Sequence, residues 1–361
     1  ARPVFAHLKE MVKQFSPDKA SAVTGVPAKQ ILATAEMMAQ NNPYCYYSYN
    51  GLEQHTNATQ TNRALCILYA MSGHLDQRGG NVFFPSIPAT KVRDARMLPA
   101  DAHALRIGHN RRPLGPAGFP NSSVQAYEVF ETLLSEKPYP IKALVAFGGN
   151  IITANAHSLK GKKALKNLDF FVQTDLFMTP AAELADIVLP AATFYEAPAL
   201  KTGFPNLPAA RERIQYRSPI IPPLHESKSD MQIIFELAEQ LNLSKYFWEG
   251  NMETAFSDLA NACGVTLEKL QQHPRGISIP LNFSYKKYEA LDSNTKTYRG
   301  FKTPSKRVEI FSQQFKDHGY DPLPVFHKPV VSPESRPDLK DRFPLILTCS
   351  KLLQFCHGQH R

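Results

Sequence analysis

Residues that could bind a nucleotide stand at the ends of two apolar segments of the chain. Gly148, Gly149 and Asn150 close the first segment, and Thr174 and Asp175 close the second. Glycine lets backbone N–H groups approach a phosphate closely. A carboxylate can accept paired hydrogen bonds from a ribose or from the N1–H and N2 amino edge of guanine. These residue types predict a nucleotide site, and ordinary loop glycines with a helix-capping Asp175 are the equally weighted alternative.

Strand and helix patterns alternate around these residues. Continuous apolar runs over Ile141–Asn150 and Asp169–Asp175 predict buried parallel strands, and an amphipathic helix is predicted after Asp230. In open α/β sheets, ligands bind outside the carboxyl ends of the strands. The sequence therefore predicts the α/β class, with Rossmann-like, doubly wound parallel sheets and helices on both faces. Further strands are predicted over Tyr44–Asn50 and Phe343–Ser350.

The five cysteines are scattered and form no C-x-x-C pair. This spacing argues against a disulfide framework, an iron–sulfur cluster or a structural zinc site within this segment. Cys45 and Cys66 have apolar neighbours and are expected to be buried thiols. No metal ligand is predicted, because His357 and the other histidines are explained as well by surface or capping positions.

Composition limits the classes of partner. The chain has 361 residues, 43% of them hydrophobic and 20% charged, which is typical of a globular protein with about two domains. No run of about 18 apolar residues occurs, so direct membrane insertion is not expected. The net charge of +9 is spread along the chain, with dense stretches such as Thr303–Arg307. No nucleic-acid-binding motif accompanies it, and no nucleic acid partner is expected.

Longer motifs follow one another in a fixed order along the chain. They cover Gly51–Pro85, Ala143–His157, Phe171–Glu196, His225–Leu241, Thr303–Ser312 and Phe343–Arg361. Together these motifs, among them GLEQHTN, LVAFGGN, FVQTDLFMTPAAELADIVLPAATFYE and TPSKRVEIFS, resemble the molybdopterin oxidoreductases, the dimethyl sulfoxide reductase family. The chain departs from the family's motifs in three places that affect the shapes of loops: Asn57-Ala58 replaces a glycine pair, the residues after Glu196 differ, and Lys306 replaces a glycine.

The resemblance implies a molybdopterin guanine dinucleotide cofactor that carries molybdenum or tungsten. Asn50 and Gln54 would lie near a pterin. One guanosine end would be held by Gly148, Gly149, Asn150, Thr174 and Asp175, with Asp230 as a second acidic contact. The pterin-facing turn of a barrel domain would include Thr348, Ser350, Lys351, Leu352 and His357. No catalytic residue or metal ligand is implied within this chain.

The resemblance also implies a domain plan. Residues 1–90 are expected to end a first Rossmann-like cofactor domain, residues 91–335 to form a second dinucleotide-binding domain, and residues 336–361 to begin a C-terminal cofactor-binding β-barrel. The chain is then expected to be an internal fragment that is inactive alone. The metal-ligating side chain and a [4Fe–4S] cluster would lie in the preceding part of the enzyme.

The full enzyme is expected to catalyse two-electron chemistry. GLEQHTN and LDQRGGN favour a formate dehydrogenase-like reaction, and reduction of a sulfur, selenium or nitrogen oxyanion is the alternative. Electron-transfer subunits are the expected partners, and a cytoplasmic or periplasmic location of bacterial type is left open. A non-catalytic scaffold subunit of a respiratory complex is a second functional class. The retained Gln54, Asn150, Asp175 and Asp230 favour cofactor binding over a scaffold.

Overall fold

The chain folds into two compact units. A computed structural model describes residues 2–48, 50–90, 92, 99–114, 123–203 and 207–348. Unit 1 combines Ala1–Pro85 with Asn282–Thr348, and unit 2 comprises Ser86–Leu281. These contacts divide the chain differently from the expected domain plan, since residues 282–335 pack with the N-terminal part. The assignment of the three expected domains stays a prediction.

Short helices outnumber strands among the described residues. The helices are α1 (Val4–Val12), α2 (Pro17–Thr24), α3 (Ala28–Gln40), α4 (Asn50–Glu53), α5 (Ala58–Met71), α6 (Ala100–Ala104), α7 (Ala126–Ser135), α8 (Ile151–Ala154), α9 (Ser158–Leu165), α10 (Pro208–Arg211), α11 (Asp230–Gln240), α12 (Met252–Asn261), α13 (Leu267–Gln271) and α14 (Gln313–Asp317). The strands are β1 (Ala143–Phe147), β2 (Phe170–Asp175), β3 (Ile187–Pro190), β4 (Ala199–Thr202), β5 (Arg213–Arg217) and β6 (Ile277–Ser278). No described helix is both long and apolar enough to span a bilayer.

A parallel sheet positions the predicted nucleotide site in unit 2. Its strand order is β1-β2-β3, with Leu144 opposite Phe171 and Val172 opposite Ile187. The helices α7, α8 and α9 cover one face through Phe130, Ile152 and other apolar side chains. A parallel sheet with crossover helices confirms the predicted α/β class. All three strands therefore direct their carboxyl ends to one edge of the sheet.

A second, antiparallel sheet completes unit 2. Its order is β4-β5-β6, and β5 places Ile214 in a separate apolar core with Ile87 and Leu270. The sequence predicted only parallel sheets, so this layer is an addition. Residues 230–271, which bring α11 to α13, agree with the helical character predicted after Asp230.

The aromatic run near residue 45 is not a strand. Tyr44–Ser48 has no strand geometry, and Asn50 already begins α4, so the strand predicted over Tyr44–Asn50 is wrong. The reason is that the Asn81 side chain occupies both backbone groups of Tyr46, accepting its N–H and donating to its carbonyl at 2.9 Å each. The side chain takes the place of a neighbouring strand.

Two further expectations fail in unit 1. Residues 343–348, the described part of the last predicted strand, form no strand and are exposed, because no described strand pairs with them. Cys45 and Cys66 are exposed rather than buried. Apolar neighbours in sequence misled the prediction for Cys66, because successive residues of a helix such as α5 point in different directions.

Candidate nucleotide-binding site

The turn after β1 uses backbone conformations that favour glycine. Gly148, Gly149 and Asn150 have φ values of 62°, 89° and 35°. Glycine adopts such values without steric cost, and asparagine tolerates them better than most residues. A Cβ atom added to Gly148 would meet no atom within 4 Å, so space is open beside this turn. The turn then leads directly into α8.

The end of β2 is joined to this turn. The Gly148 N–H donates to the Thr174 carbonyl at 2.7 Å. The amide nitrogen of Gln173 donates to the Gly148 carbonyl at 3.0 Å and to a carboxylate oxygen of Asp175 at 3.3 Å. The other Asp175 oxygen accepts the Leu176 N–H at 2.8 Å. Asp175 therefore caps its own turn and not a helix, which removes the helix-capping alternative.

Asp230 reaches the same edge by a different route. The segment before α11 runs parallel to the end of β3, with the Lys228 N–H donating to Pro190 and the Lys228 carbonyl accepting from Ala192. Ser229 caps α11, its hydroxyl accepting the Gln232 N–H, and Asp230 is the first residue of the helix. The start of an 11-residue helix favours a negative charge at this position.

Two carboxylates thus approach each other without a cation between them. Loss of solvent around the carboxyl group of Asp230, and then the negative charge of Asp175, raise the pKa of Asp230 above its ordinary value. Among the described residues, neither forms an ion pair, and Lys228 is already paired with Glu236 at 2.6 Å. The carboxylate oxygens at this edge can therefore accept more hydrogen bonds than the described residues donate to them.

Three buried polar atoms beside these carboxylates also lack hydrogen-bond partners among the described residues. They are the side-chain oxygens Oδ1 of Asn150, Oε1 of Gln173 and Oγ1 of Thr174. Their residues are 8%, 0% and 0% exposed. Leaving such atoms unpaired costs about 1–3 kcal/mol each, so native proteins nearly always satisfy them. A ligand with several N–H and O–H donors would fit this edge.

The other predicted cofactor residues are not part of this group. Asn50 begins α4 and Gln54 is exposed just after that helix, and both belong to unit 1. Thr348 is exposed, also in unit 1. The predictions for Ser350, Lys351, Leu352 and His357 lie outside the described residues. The structure thus brings together six of the predicted residues at the carboxyl ends of the strands. We call them the strand-end group: Gly148, Gly149, Asn150, Thr174, Asp175 and Asp230.

Two polar residues escaped the sequence-based prediction. Gln173 ties the ends of β1 and β2 together, and its signal was a lone amide within the apolar run Phe170–Asp175. Glu196 is 5% exposed and accepts the N–H groups of Thr193 and Leu224, both at 2.7 Å. These hydrogen bonds, first of all those from Thr193, lower the pKa of Glu196. Its role is to anchor the loop that follows β3.

Several known proteins are similar to this chain in sequence. Acetylene hydratase of Syntrophotalea acetylenica is 29% identical over 95% of this chain and 48% of its own length. The F420-dependent formate dehydrogenase subunit alpha of Methanocaldococcus jannaschii is 29% identical over 74% of this chain and 40% of its own. The chain thus spans about half the length of the first of these relatives and less of the second.

A solved structure extends the likeness to three dimensions. Acetylene hydratase from Pelobacter acetylenicus superposes with a TM-score of 0.78 at 26% identity, covering 94% of this chain and 48% of that one. The sequence profile of the molybdopterin oxidoreductase family matches residues 9–240, which include the whole strand-end group. The chain therefore belongs to the molybdopterin oxidoreductase family.

Proposed function

We propose that the strand-end group of unit 2 binds the guanosine end of a molybdopterin guanine dinucleotide. The observation that carries the proposal is the set of unpaired buried oxygens on Asn150, Gln173 and Thr174, next to two carboxylates without a cation. Membership of the family implies a molybdopterin that carries molybdenum or tungsten. The guanine dinucleotide form is the part that this edge would recognise.

Each residue has a role that its chemistry allows. The N1–H and the N2 amino group of guanine are neighbouring donors, and the carboxylates of Asp175 and Asp230 are acceptors. The ribose hydroxyls would donate to the free oxygens of Asn150 and Thr174. The backbone of Gly148 and Gly149 leaves room for close approach of the ligand. When bound, the cofactor would supply the metal centre, and the protein would fix its position.

The proposal explains why two acidic side chains are kept together. The pKa of Asp230 is raised first by loss of solvent and then by the negative charge of Asp175, so desolvation and repulsion both oppose its ionisation. Donor hydrogens from guanine would relieve that repulsion, and hydrogen bonds to charged acceptors are stronger than those between neutral groups. A purine that lacks these donors would add no hydrogen bond to either carboxylate.

Binding of free guanosine tests this proposal, because the nucleoside carries no charge that would attract it elsewhere. We expect guanosine to bind about tenfold more tightly than inosine, which lacks the N2 amino group, and adenosine to bind more weakly still. Asp175→Asn and Asp230→Asn should each reduce guanosine affinity about tenfold. Nuclear magnetic resonance titration or calorimetry would measure the dissociation constants.

Asp169→Asn is the matched control. Asp169 precedes β2 at the opposite, amino end of the strand and forms an exposed ion pair with Lys142. We expect it to change guanosine affinity by less than about twofold. Equal binding of guanosine, inosine and adenosine, or equal effects of Asp169→Asn and Asp175→Asn, would contradict the proposal.

For the whole protein we propose catalysis at a molybdenum or tungsten centre and not a scaffold role. The unused acceptors at the strand-end group favour cofactor binding, because a scaffold gains nothing from unpaired buried polar groups. Two-electron oxidation of formate is one candidate reaction, supported by the similarity to a formate dehydrogenase subunit. Hydration of acetylene is the second, supported by similarity to acetylene hydratase over 95% of this chain.

Anaerobic assays of the whole protein separate these reactions. Formate oxidation would reduce an added dye, whereas hydration of acetylene yields acetaldehyde and transfers no electrons to the dye. Elemental analysis for molybdenum and tungsten on the same preparation tests the cofactor proposal. A whole protein that carries neither metal would support the scaffold class.

A further inference from the structure

Unit 1 contains a cavity of about 660 Å³ that the proposed guanosine site does not use. Its lining residues are Tyr288, Glu289, Tyr298, Gly300, Phe301, Ser305, Lys306, Arg307 and Val308. Two antiparallel segments form one side, since Arg299 and Gly300 donate backbone N–H groups to Ala290 and Tyr288. The cavity is open to solvent and most of its lining residues are exposed, and its volume is comparable with that of small-molecule sites, about 300–1,000 Å³.

Positive charge is concentrated around this cavity. Residues 286–309 contain seven lysines and arginines and three carboxylates, of which Glu309 accepts hydrogen bonds from the N–H and the hydroxyl of Ser305. Lys287 is neutralised by Asp76 at 2.7 Å, and Lys286 by Glu289 at 3.4 Å, so the one acidic residue in the lining is already paired. Lys306 and Arg307 line the cavity without an ion pair or side-chain hydrogen bond to any described residue.

The backbone holds Lys306 in an unfavourable conformation. Its φ is 60°, a value that glycine adopts freely and lysine does not. The Phe301 N–H donates to the Lys306 carbonyl at 2.9 Å, and Gly300 packs so closely that an added Cβ would lie 2.7 Å from the Cβ of Lys306. The chain therefore keeps a cation at a position that glycine would occupy without steric cost.

Aromatic rings lie beside these cations. Tyr288 and Phe301 stack with centroids 4.6 Å apart and an interplanar angle of 15°. Tyr298, which is 71% exposed, also lines the cavity. Aromatic faces next to basic side chains bind the base and the phosphates of a nucleotide together. We propose that this cavity binds a nucleoside phosphate, with Lys306 and Arg307 on the phosphates and Tyr298 on the base.

Titration with ATP compares two lysine-to-glycine variants. Lys306→Gly removes the cation and relaxes the backbone, so a folded protein is expected to bind ATP about tenfold more weakly. Lys296→Gly is the matched control, because Lys296 is exposed, has a φ of 56°, and does not line the cavity. It removes the same charge and should change ATP affinity by less than about twofold. Equal weakening in both variants would overturn the proposal, because it would indicate a diffuse field without a site.

A second variant tests the base. Tyr298→Ala should weaken ATP about fivefold and leave the affinity for inorganic triphosphate unchanged, because stacking involves the base alone. If triphosphate binds as tightly as ATP and Tyr298→Ala has no effect, no nucleoside phosphate site exists. Asp175→Asn should leave ATP binding at this cavity unchanged, and Lys306→Gly should leave the preference for guanosine over inosine unchanged. Failure of either proposal can thus be told from failure of the other.

Discussion

Two acidic centres in this protein are built in opposite ways. In unit 1, the carboxylate of Asp76 is 0% exposed and accepts hydrogen bonds from the Phe83 N–H, the Lys287 N–H and the Lys287 ammonium group. In unit 2, Asp175 and Asp230 approach each other without a cation, next to oxygens that lack donors. Among the described residues, the first centre has all its hydrogen-bond partners and the second does not.

The difference separates structural from ligand-binding roles for acidic residues. A buried carboxylate with all its partners joins segments that are distant in sequence, here residues 76–83 and 284–287. A group in which several buried acceptors lack donors weakens the fold unless a ligand supplies them. We therefore expect mutations at the complete centre to destabilise the fold, and mutations at the incomplete centre to stabilise the unliganded chain.

The largest effect is expected at the complete centre. Asp76→Ala should lower the free energy of unfolding by about 3 kcal/mol, because it removes the charged partner of Lys287 and the acceptor of two backbone N–H groups. Chemical denaturation would measure the loss, and guanosine affinity of the folded fraction should stay unchanged. Asp317→Ala is the control, since the exposed Asp317 accepts only from Gln313 and its loss should cost less than about 0.5 kcal/mol. Similar losses in both variants would remove the distinction.

Sequence patterns anticipated the incomplete centre better than the complete one. Gly148, Asn150 and Asp175 follow apolar runs, and the rule that ligands bind at the carboxyl ends of parallel strands placed them together. Asp230 was added by resemblance alone. No sequence pattern pointed to the Asp76 centre, because its partner Lys287 lies more than 200 residues away and only the fold brings the two together.

A side-chain-to-backbone contact explains one of the failed predictions. Tyr44–Ser48 has the composition of a strand, yet Asn81 occupies the backbone groups of Tyr46. Lys306 shows the reverse case, in which the backbone has a conformation that favours glycine although the residue is lysine. Composition and periodicity report burial and secondary structure, but not which polar side chain pairs with which backbone group.

An intermediate effect, of opposite sign, is expected at Thr174. Its buried hydroxyl has no partner, so Thr174→Val should raise the free energy of unfolding of the unliganded chain by about 1 kcal/mol. The same change should weaken guanosine binding about fivefold, since a ribose hydroxyl loses its acceptor. Thermal denaturation with and without guanosine would show both effects.

Thr266→Val is the comparison for this variant. The Thr266 hydroxyl accepts the Lys269 N–H at the start of α13, so its loss should lower stability by about 1 kcal/mol. If both threonine variants lower stability alike, the Thr174 hydroxyl has a partner within the fold and the contrast between the two centres is lost.

The smallest effect is the pH dependence of the incomplete centre. Because the pKa of Asp230 is raised in the folded chain, its ionised form is penalised at neutral pH, and that penalty disappears as the pH falls below the ordinary value of 3.8. Asp230→Asn should therefore stabilise the unliganded chain at pH 7 by a few tenths of a kcal/mol, a small amount because the carboxyl is only partly removed from solvent, which screens its charge. Glu196, whose pKa is lowered, contributes stability above its ordinary value of 4.5 and loses it as the pH falls.

Lowering the pH removes the stability penalty of ionised Asp230, but it should weaken guanosine binding. Binding needs ionised acceptors, so affinity should decrease as the pH falls from 7 towards the raised pKa of Asp230, where protonation removes an acceptor. Guanine itself does not ionise in this interval, which assigns the change to the protein. Titrations at several pH values should show the decrease in the native chain and a weaker, flatter dependence in Asp230→Asn. The same slope in both would mean that Asp230 does not contact the base, and that Asp175 alone supplies the acidic contact at this edge.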